Sequence, residues 1–266
     1  MRLQLDGLCI DYSDDGTGLP VVLIHGFAND RQLWQPQIDA LKSRYRLIVP
    51  DLRGFGGSGG SDGRPVSMDR YAEDVVPLLD HLDVRTAVVG GISLGGYVAL
   101  AFALRHPERL AGLVLADTRA GADNPDWASY REAMVRGIEA RGAEAVVENY
   151  GDQPFRPDCP EEIKRTVREM IRRQSAAGLV SGTLGMAQRP DRSGELDRIR
   201  VPTLVIHGTA DAYIPVADAE AMHRAIAGSR LELLPGAGHL SNIDSAAAFN
   251  VALEAFLQPL AREYRP

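Results

Sequence analysis

The sequence predicts an α/β fold in which a mostly parallel, eight-stranded sheet carries helices on both faces and is interrupted once by a helical insertion. Three observations carry this reading. Short apolar runs bounded by turn residues recur at 21–24, 47–49, 87–89, 113–115, 204–206 and 231–234, as expected of strands covered on both faces. Helix-like stretches separate them, roughly at 31–43, 68–82, 95–106, 216–227 and 244–258. That alternation implies parallel strands whose ligands bind beyond their carboxyl ends. The third observation is a break: residues 118–198 hold no strand-like run.

Taken in order, the chain opens with apolar and polar residues alternating over 3–12 around Asp6-Gly7, the pattern of an antiparallel hairpin with a type I′ turn. This pair brings the strand count to eight. In the interrupting segment, Trp127, Tyr130, Met134 and Ile138 recur at three- and four-residue spacing, and so do Ile163, Val167, Met170 and Ile171. Each set gives a helix one apolar stripe. The stripes either pack on the main body or line a pocket as the inner face of a lid. We therefore expect a single domain over 1–266 with a helical lid at about 118–198.

Of the 266 residues, 45% are hydrophobic and 24% charged, close to the averages for globular chains, so disorder and fibrous repeats are disfavoured. The formal charge of −7 argues against a nucleic-acid or anionic-membrane partner. The two cysteines, Cys9 and Cys159, are far apart and outside any metal-binding spacing; both read as free thiols. No apolar run approaches the length of a membrane span, and residues 1–15 are acidic rather than leader-like, which predicts a cytoplasmic protein.

The strongest chemical signal is Gly91-Ile92-Ser93-Leu94-Gly95-Gly96, placed directly between a strand and a helix. A serine on so sharp a turn is strained and exposed, and the small flanking residues let neighbouring elements approach. The helix start adds partial positive charge where an oxyanion would form. A serine hydroxyl is a poor nucleophile without a base. His239, in Gly236-Ala237-Gly238-His239 after the run at 231–234, is the candidate. His25 and His207 end strands before a glycine and read as structural; His81, His106 and His223 fall in or at the ends of helices. The base needs a carboxylate to orient it. Asp211 follows the strand at 204–206, and its competitor Asp117 ends the strand at 113–115. The order Ser93, Asp211, His239 favours Asp211 and leaves Asp117 to cap a loop, while Asp51 reads as holding a loop by hydrogen bonds. Backbone donors for an oxyanion are expected from Phe27, in His25-Gly26-Phe27, and from Leu94.

These segments, with Asp51-Leu52-Arg53-Gly54-Phe55-Gly56-Gly57-Ser58, resemble the α/β-hydrolase superfamily over nearly the whole chain. Gly90 to Tyr97, Arg105-His106-Pro107-Glu108-Arg109 and Leu115-Ala116-Asp117-Thr118 are most similar to 3-oxoadipate enol-lactonases and the neighbouring carboxylesterases and cofactor-free haloperoxidases. Haloalkane dehalogenases and epoxide hydrolases of this fold carry aspartate at the elbow, where this chain has Ser93. The resemblance implies hydrolysis of a small carboxylic ester or lactone through an acyl-enzyme, with no metal or organic cofactor.

A perhydrolase would use the same three residues with peroxide in place of water. A receptor of this fold would keep them to sense a small ligand, and slow single turnover would mark it. A lyase or C–C hydrolase would need further polar groups in the pocket. An enol-lactonase would want cations for a substrate carboxylate, for which Arg131, Arg136, Arg141 and Arg156 are candidates; alternatively each is a solvated charge paired with Glu132, Glu139 or Glu144. Trp34 and Trp127 are open between core and pocket.

Overall fold

A computed structural model of the chain describes residues 1–5 and 7–265. Its sheet holds eight strands: β1 (Arg2–Leu5), β2 (Leu8–Asp15), β3 (Pro20–Ile24), β4 (Arg46–Pro50), β5 (Ala87–Ile92), β6 (Leu110–Ala116), β7 (Thr203–Gly208) and β8 (Arg230–Leu234). They lie in the order β1-β2-β4-β3-β5-β6-β7-β8. The β1–β2 and β2–β4 pairs are antiparallel and the rest parallel. The hairpin closes on the Leu5–Leu8 pair; Asp6, and with it half of the expected turn, lies outside the described residues.

Helices α1 (Gln35–Leu41), α2 (Met68–His81), α3 (Leu94–Arg105), α8 (Val216–Ala225) and α10 (Ala246–Glu263) flank the strands, and α4 (Pro125–Arg141), α5 (Ala143–Tyr150), α6 (Glu161–Arg172) and α7 (Ala176–Ala187) fill the segment between β6 and β7. Strand order and handedness together fix the layers. The β3-α1-β4 crossover runs one way along the sheet, and β4-α2-β5, β5-α3-β6 and β7-α8-β8 run the other. Right-handed crossovers therefore put α1 on one face and α2, α3 and α8 on the opposite one. α10 packs on α1. With both faces covered, every residue of β3, β5 and β7 is buried.

The helix expected over 244–258 is present as α10, which starts two residues later at Ala246 and runs on to Glu263; a separate short turn, α9 (Ser241–Asp244), precedes it, divided from it by Ser245, whose φ of −131° and ψ of 38° are not helical. The cause of this division is tertiary. Ser241 and Asp244 are tied by side-chain bonds to the strand ends and to the insertion, and a continuous helix would move both. Trp34 is a core residue, fully buried with its ring 5.8 Å from that of Phe249.

Helices α4 to α7 bury Met134 and Ile138 of one expected stripe and Val167, Met170 and Ile171 of the other; Trp127, Tyr130 and Ile163 stay half-buried. Side-chain bonds fasten this segment to the strand-end loops. Ser61 Oγ donates to Ser181 Oγ at 2.7 Å, the Gly56 amide donates to Gln174 Oε1 at 2.8 Å, and the Arg156 amide donates to Asp244 Oδ2 at 2.7 Å. Among the described residues no helix is long and apolar enough to cross a membrane.

Candidate active site

Because β3 to β8 are parallel, the loops after β3, β5, β6, β7 and β8 gather at one edge. Ser93 stands at the head of α3 with φ 54° and ψ −116°, a conformation that costs on the order of 1–3 kcal/mol in a residue with a side chain. Packing imposes it. A Cβ on Gly91 would lie 2.1 Å from the Gly95 carbonyl oxygen, and one on Gly95 would lie 2.1 Å from that of Ile24. Only glycine at both positions lets β3, β5 and α3 come this close.

The turn aims Ser93 Oγ at His239, whose Nε2 is 2.9 Å away. On the other side of the ring, His239 Nδ1 is 2.8 Å from Asp211 Oδ2. A carboxylate only accepts, so Nδ1 carries the proton and Nε2 presents its lone pair to the serine hydroxyl. The Asp211 side chain is fully buried and its Oδ1 accepts from the Tyr213 and Ile214 amides at 2.8 and 3.1 Å. Burial opposes both charges of this pair. The imidazole nevertheless titrates above its ordinary value, because the Asp211 charge and hydrogen bond outweigh burial, and the same attraction with the two amides holds the Asp211 carboxyl below its own.

Asp117 ends β6 with φ 42° and is fully buried. Its Oδ1 accepts from the Gly208 amide at 2.8 Å and its Oδ2 lies 2.5 Å from Ser241 Oγ. Burial, then the Asp211 charge, push its pKa well up. The pKa values of two carboxyls on neighbouring strand ends are thus pushed in opposite directions. His207 lies beside both, fully buried, its Nε2 donating to the Ile214 carbonyl at 2.9 Å; burial lowers its pKa and keeps it neutral. Asp117, His207 and Asp211 have metal-like spacing, with donor atoms within 4.8 Å. All but His207 Nδ1 is spent on protein hydrogen bonds, so the set does not fit an ion.

The loop after β3 meets the elbow from the other side. A Cβ on Gly26 would stand 3.6 Å from Ser93 Cβ, and the Phe27 carbonyl accepts from Asn29 Nδ2 at 2.9 Å. Neither the Phe27 nor the Leu94 amide donates to another described residue. His25 is structural, its ring joining the Gly26 carbonyl at 2.8 Å to the Leu52 amide at 3.0 Å. Asp51 accepts from the Arg31 and Gly57 amides, as a loop-holding carboxylate should. Asp244, which the sequence did not single out, fastens the loop carrying His239: its Oδ2 accepts from the Gly238 amide at 3.0 Å.

Above Ser93 and His239 lies a narrow pocket with six aromatic side chains in its wall, Phe27, Tyr97, Trp127, Tyr130, Tyr150 and Tyr213. Tyr213 stands edge-on to the His239 ring at 5.1 Å. Trp127, Tyr130 and Tyr213 also line a second, more open cavity with Asp126 and Gln153. Of the four arginines expected for a carboxylate, only Arg131 reaches the pocket. Arg136 is 70% exposed and lies 3.9 Å from Glu132, one of the expected partners, while Arg141 pairs with Glu148 and Arg156 with Asp158, outside the expected set. Arg119, unmarked in the sequence reading, lines the pocket too.

Comparison with known proteins agrees with this architecture. The family model described as alpha/beta hydrolase fold matches residues 20–246. The chain is 31% identical to 3-oxoadipate enol-lactonase 2 of Acinetobacter baylyi, over 96% of each chain. It is also 31% identical to a putative non-heme chloroperoxidase of Synechocystis sp., over 94% of this chain and 95% of that one. A solved structure of a thermophilic esterase from Thermogutta terrifontis, with malate bound, superposes with a TM-score of 0.90 at 36% identity, covering 96% of this chain and 94% of that one.

Proposed function

The chain belongs to the alpha/beta hydrolase fold family, and from that premise we propose that it hydrolyses small carboxylic esters or lactones through an acyl-enzyme on Ser93. The observation that carries this reading is the unbroken hydrogen-bonded chain from Ser93 Oγ through His239 to Asp211. Ser93 Oγ attacks the carbonyl carbon while His239 Nε2 takes its proton. Asp211 holds the tautomer and stabilises the imidazolium. The carbonyl oxygen becomes an alkoxide facing the Phe27 and Leu94 amides, each of which is worth roughly 3 kcal/mol in such a role. Collapse breaks the ester C–O bond, and His239 returns its proton to the leaving alkoxide. Water then repeats the sequence on the acyl-serine. A lactone follows the same path, its leaving group staying tethered as a hydroxy acid.

In this reading the chain is one hydrolase domain, and α4 to α7 are its lid. The aromatic wall that they contribute excludes water from the alkoxide, where each hydrogen bond is then worth more. Every step uses a side chain or amide already in place, so no metal or organic cofactor is called for. Likeness to a putative chloroperoxidase favours a second reading, in which hydrogen peroxide replaces water at the acyl-enzyme and the released acid is a peracid.

Steady-state hydrolysis of p-nitrophenyl acetate, butyrate and octanoate, with dihydrocoumarin as a lactone, tests the proposal against Ser93→Ala. Multiple turnover that disappears with Ser93 is expected. A folded parent that releases a single equivalent and stops would favour a ligand sensor. Peracid formation outpacing hydrolysis at millimolar peroxide would favour the perhydrolase.

A further inference from the structure

Three buried guanidinium groups, two of them in the wall of the pocket that Ser93 lines, share one carboxylate. Asp123 Oδ1 accepts from Arg119 Nη2 and Arg189 Nη1, both at 2.7 Å, and its Oδ2 accepts from Arg131 Nε at 3.1 Å. None of these four side chains is more than 11% exposed. Three positive charges against one negative leave an excess of two in a place that water barely reaches. A buried charge is retained only where something compensates it.

Arg189 is compensated by the protein. It also donates to the Met186 and Gly121 carbonyls, each at 2.9 Å, and stacks on the Tyr97 ring at 4.2 Å, so it clamps the base of the insertion. Arg119 and Arg131 are not. Arg119 Nη1 and both Nη groups of Arg131 donate to no described residue, whereas both Nη groups of Arg189 are bonded; the Nε of Arg119, like that of Arg189, is buried without a partner. Both guanidinium groups line the pocket that Ser93 and His239 line. Their carbons stand 5.3 and 5.2 Å from the Trp127 ring centroid, which helps to fix where they sit. A fixed guanidinium with unused N–H groups matches the two oxygens of a carboxylate.

We propose that Arg119 and Arg131 form a carboxylate subsite, and that the ester or lactone hydrolysed at Ser93 carries a second, ionised carboxylate. The inference rests on the serine-hydrolase reading for its reaction but not for its binding. The carboxylate compensates the excess charge in the pocket and turns the scissile carbonyl toward Ser93. Specificity follows from both: a neutral ester of the same length leaves the two arginines uncompensated and is held less well.

The test pairs monomethyl succinate, glutarate and adipate with methyl butanoate, pentanoate and hexanoate, in which a methyl replaces the free carboxylate. Calorimetric binding to Ser93→Ala is read first, then kcat/KM of the parent by pH-stat. At least one half-ester is expected to bind about tenfold or more tighter than its neutral partner, the span of one charge-assisted hydrogen bond or more. Arg131→Gln and Arg119→Gln in the Ser93→Ala background should each lower that ratio about tenfold, with Arg131→Lys intermediate, since it keeps the charge and loses the fork. If Arg119→Gln melts early because Asp123 is disturbed, the two Arg131 variants decide. Equal binding of charged and neutral partners at all three lengths, or a ratio unmoved in folded Arg131→Gln, would overturn the subsite. No turnover of either ester by the parent, with selective binding intact, would instead count against the hydrolase reading alone.

Discussion

Ser93 and Arg131 line the same pocket, yet the two regions that carry them hold their side chains by different means. At the sheet edge the backbone does the positioning: β5 ends, glycines close the gap to β3, and Ser93 is left in a conformation it would not choose. In the insertion, side chains position side chains, with Asp123 gathering three arginines and Trp127 lying against two of them. A backbone site follows from chain order, because each element is fixed by its neighbours in sequence. A side-chain site follows from how helices dock, and its substitutions should change selectivity before they change chemistry.

The largest effect expected is at the sheet edge. Ser93→Ala or His239→Ala should lower kcat by about 10⁶, because either removes the acyl-enzyme route altogether. Thermal melting of Ser93→Ala should stay near that of the parent, since it opens no large cavity, whereas His239→Ala also leaves the buried Asp211 carboxylate without its partner and should melt lower. A residual rate within tenfold of the parent in Ser93→Ala would move the nucleophile elsewhere.

Next come the two carboxyls. Asp211→Asn keeps the shape but not the charge that selects the Nδ1–H tautomer, and about 10⁴ in kcat/KM should go with it. Asp117→Asn should cost less than about tenfold, because burial and the Asp211 charge already keep Asp117 toward its neutral form, which an amide imitates. The pH profile separates them further. His239 must be neutral at Nε2 to act, and its pKa is raised, so kcat/KM should climb with pH through an inflection above the ordinary imidazole value near 6.5. In Asp211→Asn the attraction is lost while burial remains, and the inflection should move to lower pH. Imidazole NMR titration in Ser93→Ala reads the same shift without turnover; a shift of equal size in Asp117→Asn would show that both carboxyls carry charge.

This contrast also explains what was legible. The sharp turn at Ser93, the strand order of its supports and the pairing of His239 with Asp211 rather than Asp117 could be read because each depends on a strand end and the few residues after it. Arg119 carried a partial signal: it lies two residues beyond Asp117, at the same carboxyl edge, and four before Asp123. Its importance depends on α4 docking Arg131 beside it, which no local pattern encodes. Asp244 was hidden for a similar reason, since the division between α9 and α10 at Ser245 answers to contacts with Gly238 and Arg156. The stripes of α4 and α6 were visible as stripes, but whether Trp127 faces core or pocket was not.

The two tryptophans sharpen the comparison through stability. Trp34→Ala empties a fully buried site against Phe249 and should cost about 3–5 kcal/mol. Trp127, half-buried on the pocket wall, should cost about 1 kcal/mol on the same substitution. Urea unfolding measures both. Equal losses would mean that α4 packs as core and that the pocket wall is load shared with the fold.

The smallest effect is expected at Arg136, which the sequence offers on equal terms with Arg131. At about 100° per residue, five positions carry Arg136 roughly 140° around α4 from Arg131, toward solvent. It is 70% exposed, and its nearest carboxylate, on Glu132, is 3.9 Å away. Arg136→Gln should therefore leave stability within about 0.5 kcal/mol and the preference for a charged over a neutral ester within about twofold. The comparison is sharp because both substitutions remove one arginine from one helix and change the net charge equally. If Arg136→Gln lowered the preference as much as Arg131→Gln, the effect would belong to the overall field of the insertion rather than to a subsite built from particular guanidinium groups, and raising the salt concentration would abolish both alike.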